Sequence, residues 1–169
     1  MQPYASQVDG APIVVSRTDD AALLCRLAHE SFAEYEGRLS PPSAAMHETA
    51  ESIERELRND TIALVATSDD TPVGCVLARP KGRHLYFGRL SVVPSLRRKG
   101  VAAALVQAVQ TQALNAGLDG IDCSVRIALE ANQRFFLGLG FVEVGRTAHP
   151  GFNEHTSIDY RKTLDNASD

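Results

Sequence analysis

No Cys-x-x-Cys pair, no histidine cluster and no apolar run long enough to cross a bilayer occur in this sequence of 169 residues. Each absence removes a class of protein. The three cysteines, Cys25, Cys75 and Cys123, are scattered and odd in number, so their spacing offers nothing to a metal ion. Each lies in an apolar stretch, where a free thiol behaves as a small hydrophobe, and they read as reduced core residues. A membrane helix needs about 20 apolar residues in succession. The start, Met1-Gln2-Pro3-Tyr4-Ala5-Ser6, also lacks a basic-then-apolar signal. The chain is therefore expected to be cytoplasmic, with no membrane partner. Excess positive charge is missing too: the net charge is −4, whereas nucleic-acid binding favours a basic surface, so no nucleic-acid partner is expected. Gly-x-x-x-x-Gly-Lys-Ser/Thr is absent, with Lys99-Gly100 in the reverse order, and so is Gly-x-Gly-x-x-Gly. These two gaps argue against a nucleotide triphosphatase and a dinucleotide-binding enzyme. No repeat, linker or domain boundary is evident. Residues 11–165 are expected to form a single domain, with 1–10 and 166–169 as frayed ends.

What is present is an ordinary globular composition, 44% hydrophobic and 22% charged, at a length suited to one α/β domain. Apolar periodicity alternates between two and about three and a half, as in an α/β chain. Ile13-Val14-Val15 predicts a short strand. Thr18-Asp19-Asp20 predicts the cap of a helix with Leu23, Leu24, Leu27, Ala28 and Phe32 as one stripe. After a break at Gly37 to Pro42, a second helix is expected over 43–58, with Glu51–Arg55 and Glu54–Arg58 at i,i+4 spacing. Strands over 61–67, 73–79 and 84–93 predict an antiparallel meander, stopped by Pro94. A long helix over 98–116 follows, with Ala102, Leu105, Val109, Ala113 and Ala116 inward and Gly117 at its end. Ile121, Cys123 and Val125 alternate with Asp122, Ser124 and Arg126 as a half-buried strand. A helix over 130–139 and strands over 141–146 and 156–164 complete the chain. Strand, long helix, strand implies a right-handed crossover and a locally parallel pair in a mixed sheet.

The stretch richest in chemistry is Leu90-Ser91-Val92-Val93-Pro94-Ser95-Leu96-Arg97-Arg98-Lys99-Gly100-Val101-Ala102-Ala103. A strand stops, a basic turn follows, and Gly100 opens a helix. The first turn of a helix presents backbone N–H groups without intrahelical partners at the positive end of the dipole, a ready site for phosphate. Gly100 and Ala102 let a pyrophosphate approach the backbone closely. Arg97, Arg98 and Lys99 add three cations where a helix without an anionic ligand would favour Asp or Glu, a cost of about 0.3–1 kcal/mol per charge. The plain alternative is a solvated basic turn with a glycine for geometry.

Arg97-Arg98-Lys99-Gly100-Val101-Ala102 resembles the Arg/Gln-x-x-Gly-x-Gly/Ala cofactor loop of the GCN5-related N-acetyltransferases, the GNAT family. The resemblance extends to Phe135-Phe136-Leu137-Gly138-Leu139-Gly140-Phe141 and to the element order from Ile13 to Leu164. It implies a three-layer α/β fold: a mixed, mostly antiparallel sheet of about six to seven strands flanked by about four helices. It also implies acetyl-CoA as acyl donor, a primary amine of a small molecule or peptide as acceptor, and no metal. The pantetheine arm would add like a strand to a bulged edge at Leu90-Ser91-Val92. The N–H groups from Arg98 to Ala103 would hold the pyrophosphate, and a strand N–H near Val92 would polarise the thioester carbonyl. A homodimer is compatible with this reading.

The sequence departs from the family pattern where acid and base are concerned. The residue aligned with a family glutamate base is Ser124, and that aligned with a tyrosine acid is Phe136, which like Phe135 has no hydroxyl to donate. A family asparagine aligns with Leu129; Asn132, one turn later, is either its substitute at the cofactor or a surface or capping residue. His149 and His155 flank the loop before the last strand and are the remaining acid/base candidates, against the alternative of solvated loop histidines. Cys123 points inward and is not read as a nucleophile. From Asp19 to Asp60 there are ten acidic and four basic residues, a net of −6. This leans toward a cationic acceptor, unless the carboxylates are spent on helix-face pairs. The missing base and acid keep a second class open, a degenerate acyl-CoA-binding sensor.

Overall fold

The alternating periods become a twisted sheet with helices on both faces in the computed structural model, which describes residues 7, 8 and 10–166. In chain order the elements are β1 (Gln7–Val8), β2 (Ala11–Arg17), α1 (Ala21–Phe32), α2 (Ala50–Leu57), β3 (Ile62–Ser68), β4 (Thr71–Lys81) and β5 (His84–Val92). They continue with α3 (Val101–Asn115), β6 (Gly120–Arg126), α4 (Glu130–Gly138), β7 (Val142–Thr147) and β8 (Ser157–Thr163). Across the sheet the strands lie in the order β1-β2-β3-β4-β5-β6-β8-β7. The two-residue β1 is an edge addition to the seven strands that carry the fold. Of the start expected to fray, Gln7 and Val8 pair with Pro12 and Ala11, and Val8 is buried; most of the rest of 1–10, like 167–169, lies outside the described residues. Among the described residues no helix is long and apolar enough to cross a membrane.

All neighbouring pairs are antiparallel except β5 and β6, the parallel pair that the long crossover helix predicts. The apolar stripes place the layers. Leu24, Leu27 and Ile53 of α1 and α2 pack with Ala63, Val65, Cys75 and Leu77 on one face of the sheet. Leu105, Val109 and Ala113 of α3 pack with Val76, Phe87 and Ile121 on the other, joined by Phe136 of α4. Cys75 and Cys123 are buried, and burial pushes both thiols up, Cys75 to about 12, so neither ionises near neutrality.

Three local predictions are corrected. The helix expected over 43–58 is a 3₁₀ turn at Ala44–His47 followed by α2, because Glu48 and Thr49 are extended and Thr49 starts a new capping box with Ser52. The long helix begins three residues late, since Arg98 and Gly100 have φ of 60° and 86°, outside the helical region. At its other end Ala116 is an exposed cap, while Val106 takes a buried position. Gly117, at φ 70°, ends α3 as expected: its N–H reaches the Leu114 carbonyl and that of Leu118 reaches Ala113.

One glycine fixes how closely α3 approaches the sheet. A Cβ on Gly74 would lie 2.6 Å from the Ser91 carbonyl oxygen and 3.1 Å from a Val101 methyl. Both neighbours are buried, so neither can step aside. Gly74→Ala is expected to destabilise the protein by about 1–3 kcal/mol through overpacking, read as a lower midpoint in urea with an unchanged slope.

Candidate functional site

The parallel ladder between β5 and β6 is short. His84 pairs with Gly120, Leu85 with Ile121 and Tyr86 with Asp122, and there it ends. β5 continues to Val92 and β6 to Arg126, so the two strands diverge like the arms of a V. Between them opens a cavity of about 790 Å³. Its walls include Phe87 to Leu90 and Val92 on one side, Cys123 to Arg126 on the other, and residues of α1, α3 and α4.

β5 itself changes phase at the mouth of the V. Leu85 and Phe87 are buried in alternation, but beyond Gly88 the next buried residues are the adjacent Ser91 and Val92. In register, Gly88 faces Leu77 and Ser91 faces Cys75, so Arg89 and Leu90 together oppose Val76: a β-bulge. Arg89 sits at φ 50°, a costly conformation for a residue with a long side chain. It is held there by charge. Its guanidinium donates to Glu56 at 2.7 and 2.5 Å through two nitrogens and to Glu48 at 2.5 Å. Glu48 is in turn anchored: it accepts from Ser52 Oγ at 2.7 Å, and its backbone carbonyl lies 2.8 Å from His29 Nε2 of α1. Thus α1, the segment before α2, and α2 all converge on the bulge.

The basic turn lies where the strand leaves the sheet. Gly100, left-handed and without a side chain to cap, precedes α3. The first intrahelical bond runs from Ala104 N–H to the Gly100 carbonyl at 3.0 Å, which leaves the N–H groups of Val101, Ala102 and Ala103 ahead of the ladder. Gly100 and these three residues line the cavity, as do Leu90, Val92, Arg97, Arg98 and Asn132. Two expected members stand differently. Ser91 is wholly buried with its hydroxyl on the Arg89 carbonyl, so only its backbone belongs to the edge. Lys99 is half-buried and is not among the lining residues.

The three cations are not equivalent, which corrects the charge argument from sequence. Arg97 is ion-paired with Glu34 and donates to the Ser31 carbonyl at 2.6 Å, so its charge is already answered by the end of α1. Arg98 is exposed beside the helix start. Val92 N–H is engaged as well, donating to Ser31 Oγ at 3.1 Å. Ser31, Glu34 and Tyr35 were invisible in the sequence, where they sit in and just after a helix far from the basic turn. Asn132 and Tyr35 both line the cavity; burial, with Glu34 beside it, pushes the Tyr35 hydroxyl above its ordinary range and keeps it protonated.

The acid/base positions are now placed. Phe136 is buried in a cluster with Phe87, Phe135 and Phe141 at ring separations of 5.0–6.0 Å. Ser124 faces the cavity and donates to Asp159 Oδ1 at 2.6 Å, its register partner on β8. His149 and His155 are not brought to the cavity wall. His149 is bound to Thr156, and burial, with Arg126 nearby, lowers its imidazole below the ordinary range; His155 is exposed. Among the described residues no group of three or more His, Cys, Asp or Glu is arranged to hold a metal.

A second cavity, of about 680 Å³, lies between α2, β4 and β5 and shares Gly88 and Arg89 with the first. Arg89 had a sequence signal: an arginine after a glycine, in the buried phase of a strand, marks a break in alternation.

Comparisons with known proteins agree with this geometry. Residues 25–141 match the acetyltransferase (GNAT) family. Among solved structures, the PaiA N-acetyltransferase of Thermoplasma acidophilum, in complex with coenzyme A, superposes with a TM-score of 0.73 at 18% identity over 90% of this chain and 99% of that one. The ribosomal-protein-S18-alanine N-acetyltransferase of Escherichia coli gives 0.71 at 15% identity, over 92% and 96%. An aminoglycoside 6'-N-acetyltransferase complexed with coenzyme A gives 0.68 at 18%, over 92% and 99%. At such identities the likeness is one of fold. A search of the curated proteins finds no match.

The Arg89 pairs make stability depend on acid pH. Arg89 holds the Glu56 carboxyl below its ordinary value of 4.5. The folded protein therefore takes up that proton less readily than the unfolded chain. The pair's contribution is complete above about pH 4.5 and is lost as pH falls through the lowered value. Because the Glu56 side chain is over a third exposed and screened by solvent, Glu56→Gln is expected to destabilise at pH 7 by about 1 kcal/mol or less, with the gap to wild type closing as pH falls below about 4.5 in denaturant titrations.

Proposed function

The chain belongs to the acetyltransferase (GNAT) family, and we propose that it moves an acetyl group from acetyl-CoA to the primary amine of a small molecule or peptide by direct attack. One observation carries this reading: the stretch of β5 freed from β6 runs into the Gly100 turn, and both line one cavity. A pantetheine arm has two amides and can hydrogen-bond the free edge at Leu90-Ser91-Val92 as an added strand would. Its pyrophosphate would then lie against the N–H groups of Val101, Ala102 and Ala103, with Arg98, Lys99 and Gly100 in the turn before them. Arg97 serves this loop by tying it to α1, and Asn132 is proposed to contact the donor from α4.

In the transfer, the amine nitrogen attacks the thioester carbon, the C–N bond forms and the C–S bond breaks, and the CoA thiolate leaves. The amine loses one proton and the thiolate gains one. Because Val92 N–H already donates to Ser31 Oγ, it polarises the thioester oxygen only if that hydroxyl gives way. Phe136 supplies no proton. A thiol pKa near 8.5 makes the thiolate a tolerable leaving group without a dedicated acid. Proton removal from the amine falls to water or to a carboxylate behind the wall such as Asp159, hydrogen-bonded to Ser124. The protein is read as working in the cytoplasm.

A second reading has a specific observation in its favour. The burial of Phe136 among aromatic rings leaves no hydroxyl where the family keeps its acid, as in a protein that binds acyl-CoA without turning it over. Turnover over a panel of amines separates the two.

Acetyl-CoA at a hundredfold excess over its dissociation constant should stabilise the fold by about 2.7 kcal/mol. A melt unmoved by saturating acetyl-CoA and CoA would overturn both readings. Gly100→Val is a poor test, since the left-handed backbone at Gly100 strains any branched residue. Ala103→Glu is a better one. A carboxylate in the first turn favours the helix by about 0.3–1 kcal/mol and repels phosphate there. The variant is expected to melt at or above the wild-type temperature without ligand and to bind CoA at least about tenfold more weakly.

The pH dependence follows from the placement of the histidines. kcat/KM is expected to rise with pH toward the acceptor amine's own pKa, with profiles of His149→Ala and His155→Ala overlaying the wild type. A break near or below pH 6.5 that either substitution abolishes would place a histidine in the mechanism.

A further inference from the structure

The second cavity shows where part of the negative charge counted in the α1–α2 region is spent. The α1–α2 region has a net charge of −6 by count, but the carboxylates that reach this cavity, Glu48 and Glu56, are both spent on Arg89. Two more cations line it. Arg55 carries no ion pair among the described residues. Arg79 lies over the Tyr86 ring, 5.7 Å from its centroid. Three arginines against two glutamates leave the cavity with one net positive charge.

The cavity also has a direction. At the Gly88–Arg89 end it adjoins the proposed donor cleft, so a nucleophile must sit there to meet the thioester. Arg79 pairs across the sheet with Tyr86, two residues before Gly88. At about 3.3 Å per residue, its backbone stands roughly 7 Å along the strand from that end. Arg55, on α2, borders the same cavity. Arg79's charge also reaches Glu56, but neither Arg55 nor Arg79 forms an ion pair among the described residues, and a guanidinium so placed is a planar donor suited to a further carboxylate.

Resting on the transferase reading above, we propose that this cavity is the acceptor site and that the acceptor is a primary amine that also carries a carboxylate. The amine points to the Gly88–Arg89 wall, and the carboxylate is held by Arg55 and Arg79. A simple cationic amine would bring a second uncompensated positive charge into the cavity; the carboxylate cancels it. The positive surroundings also favour the neutral form of the bound amine, the form that attacks.

The test compares amines that differ only in the carboxylate: leucine against isopentylamine, and β-alanine against ethylamine, with acetyl-CoA saturating. The carboxylated member of at least one pair should have kcat/KM higher by about tenfold or more. Arg55→Gln combined with Arg79→Gln should bring the pair within about threefold through a rise in KM for the carboxylated member. Arg58→Gln, at the C-terminal cap of the same helix and outside the cavity, should leave the preference intact. A preference for the plain amines, or a double variant that keeps the wild-type ratio, overturns the proposal. Should acetyl-CoA bind but no amine turn over, the transferase reading fails, and the cavity is still read by melting with saturating CoA. There, leucine or β-alanine raising the midpoint of wild type but not of the double variant supports the carboxylate site. Equal shifts from both members of each pair, or none, refute it.

Discussion

After three residue pairs, β5 and β6 stop sharing hydrogen bonds, and the main cavity of this molecule follows from that early parting. A parallel ladder carried to the ends of both strands would close the sheet and spend the backbone groups a ligand needs. Parting leaves one edge of β5 open inside the protein, where water competes less and a second polar backbone finds strong partners. The same parting opens the 790 Å³ cavity and aims it at the first turn of α3. On the function proposed above, an extended, amide-bearing arm ending in a pyrophosphate would lie along both surfaces.

An open edge in a protein interior needs something to hold its shape, and here that is the arginine at the bulge. Arg89 adopts a backbone conformation that only a firm surrounding sustains. Two carboxylates from the α1–α2 side supply it, one of them bidentate. Through Glu48 and His29 the bulge is linked to α1, and through Ser31, Glu34 and Arg97 the end of α1 is linked to the basic turn. The roof of the cleft, its strand edge and the basic turn before α3 are thus one connected polar network. The cost of desolvating these charges limits what they add to stability; what they add to geometry is a fixed bulge.

The same network shows where the counted charge is spent. Carboxylates cluster in the region from Asp19 to Asp60, yet those nearest the cavities are turned inward onto Arg89 and Arg97. Sequence counts treat every charge as facing solvent or ligand. Burial with a partner removes a charge from that account, and which charges are removed depends on pairs 33 to 63 residues apart in the chain.

By itself, the sequence determined the element order, the crossover with its parallel pair, and the glycine turn that opens α3, because each rests on local periodicity, capping or backbone freedom. It also pointed to the family through the same local stretch, Arg97 to Ala102, and to the absence of hydroxyls at Phe135 and Phe136. Only the tertiary structure decided that α2 starts afresh at Thr49, that Arg97 belongs to Glu34, that Asn132 and Tyr35 line one cavity, and that Arg89 is clasped by Glu48 and Glu56. These are contacts between distant segments. Their energies come from desolvation and from pairing in a shared interior, neither of which is written in the order of the residues until the layers close on one another.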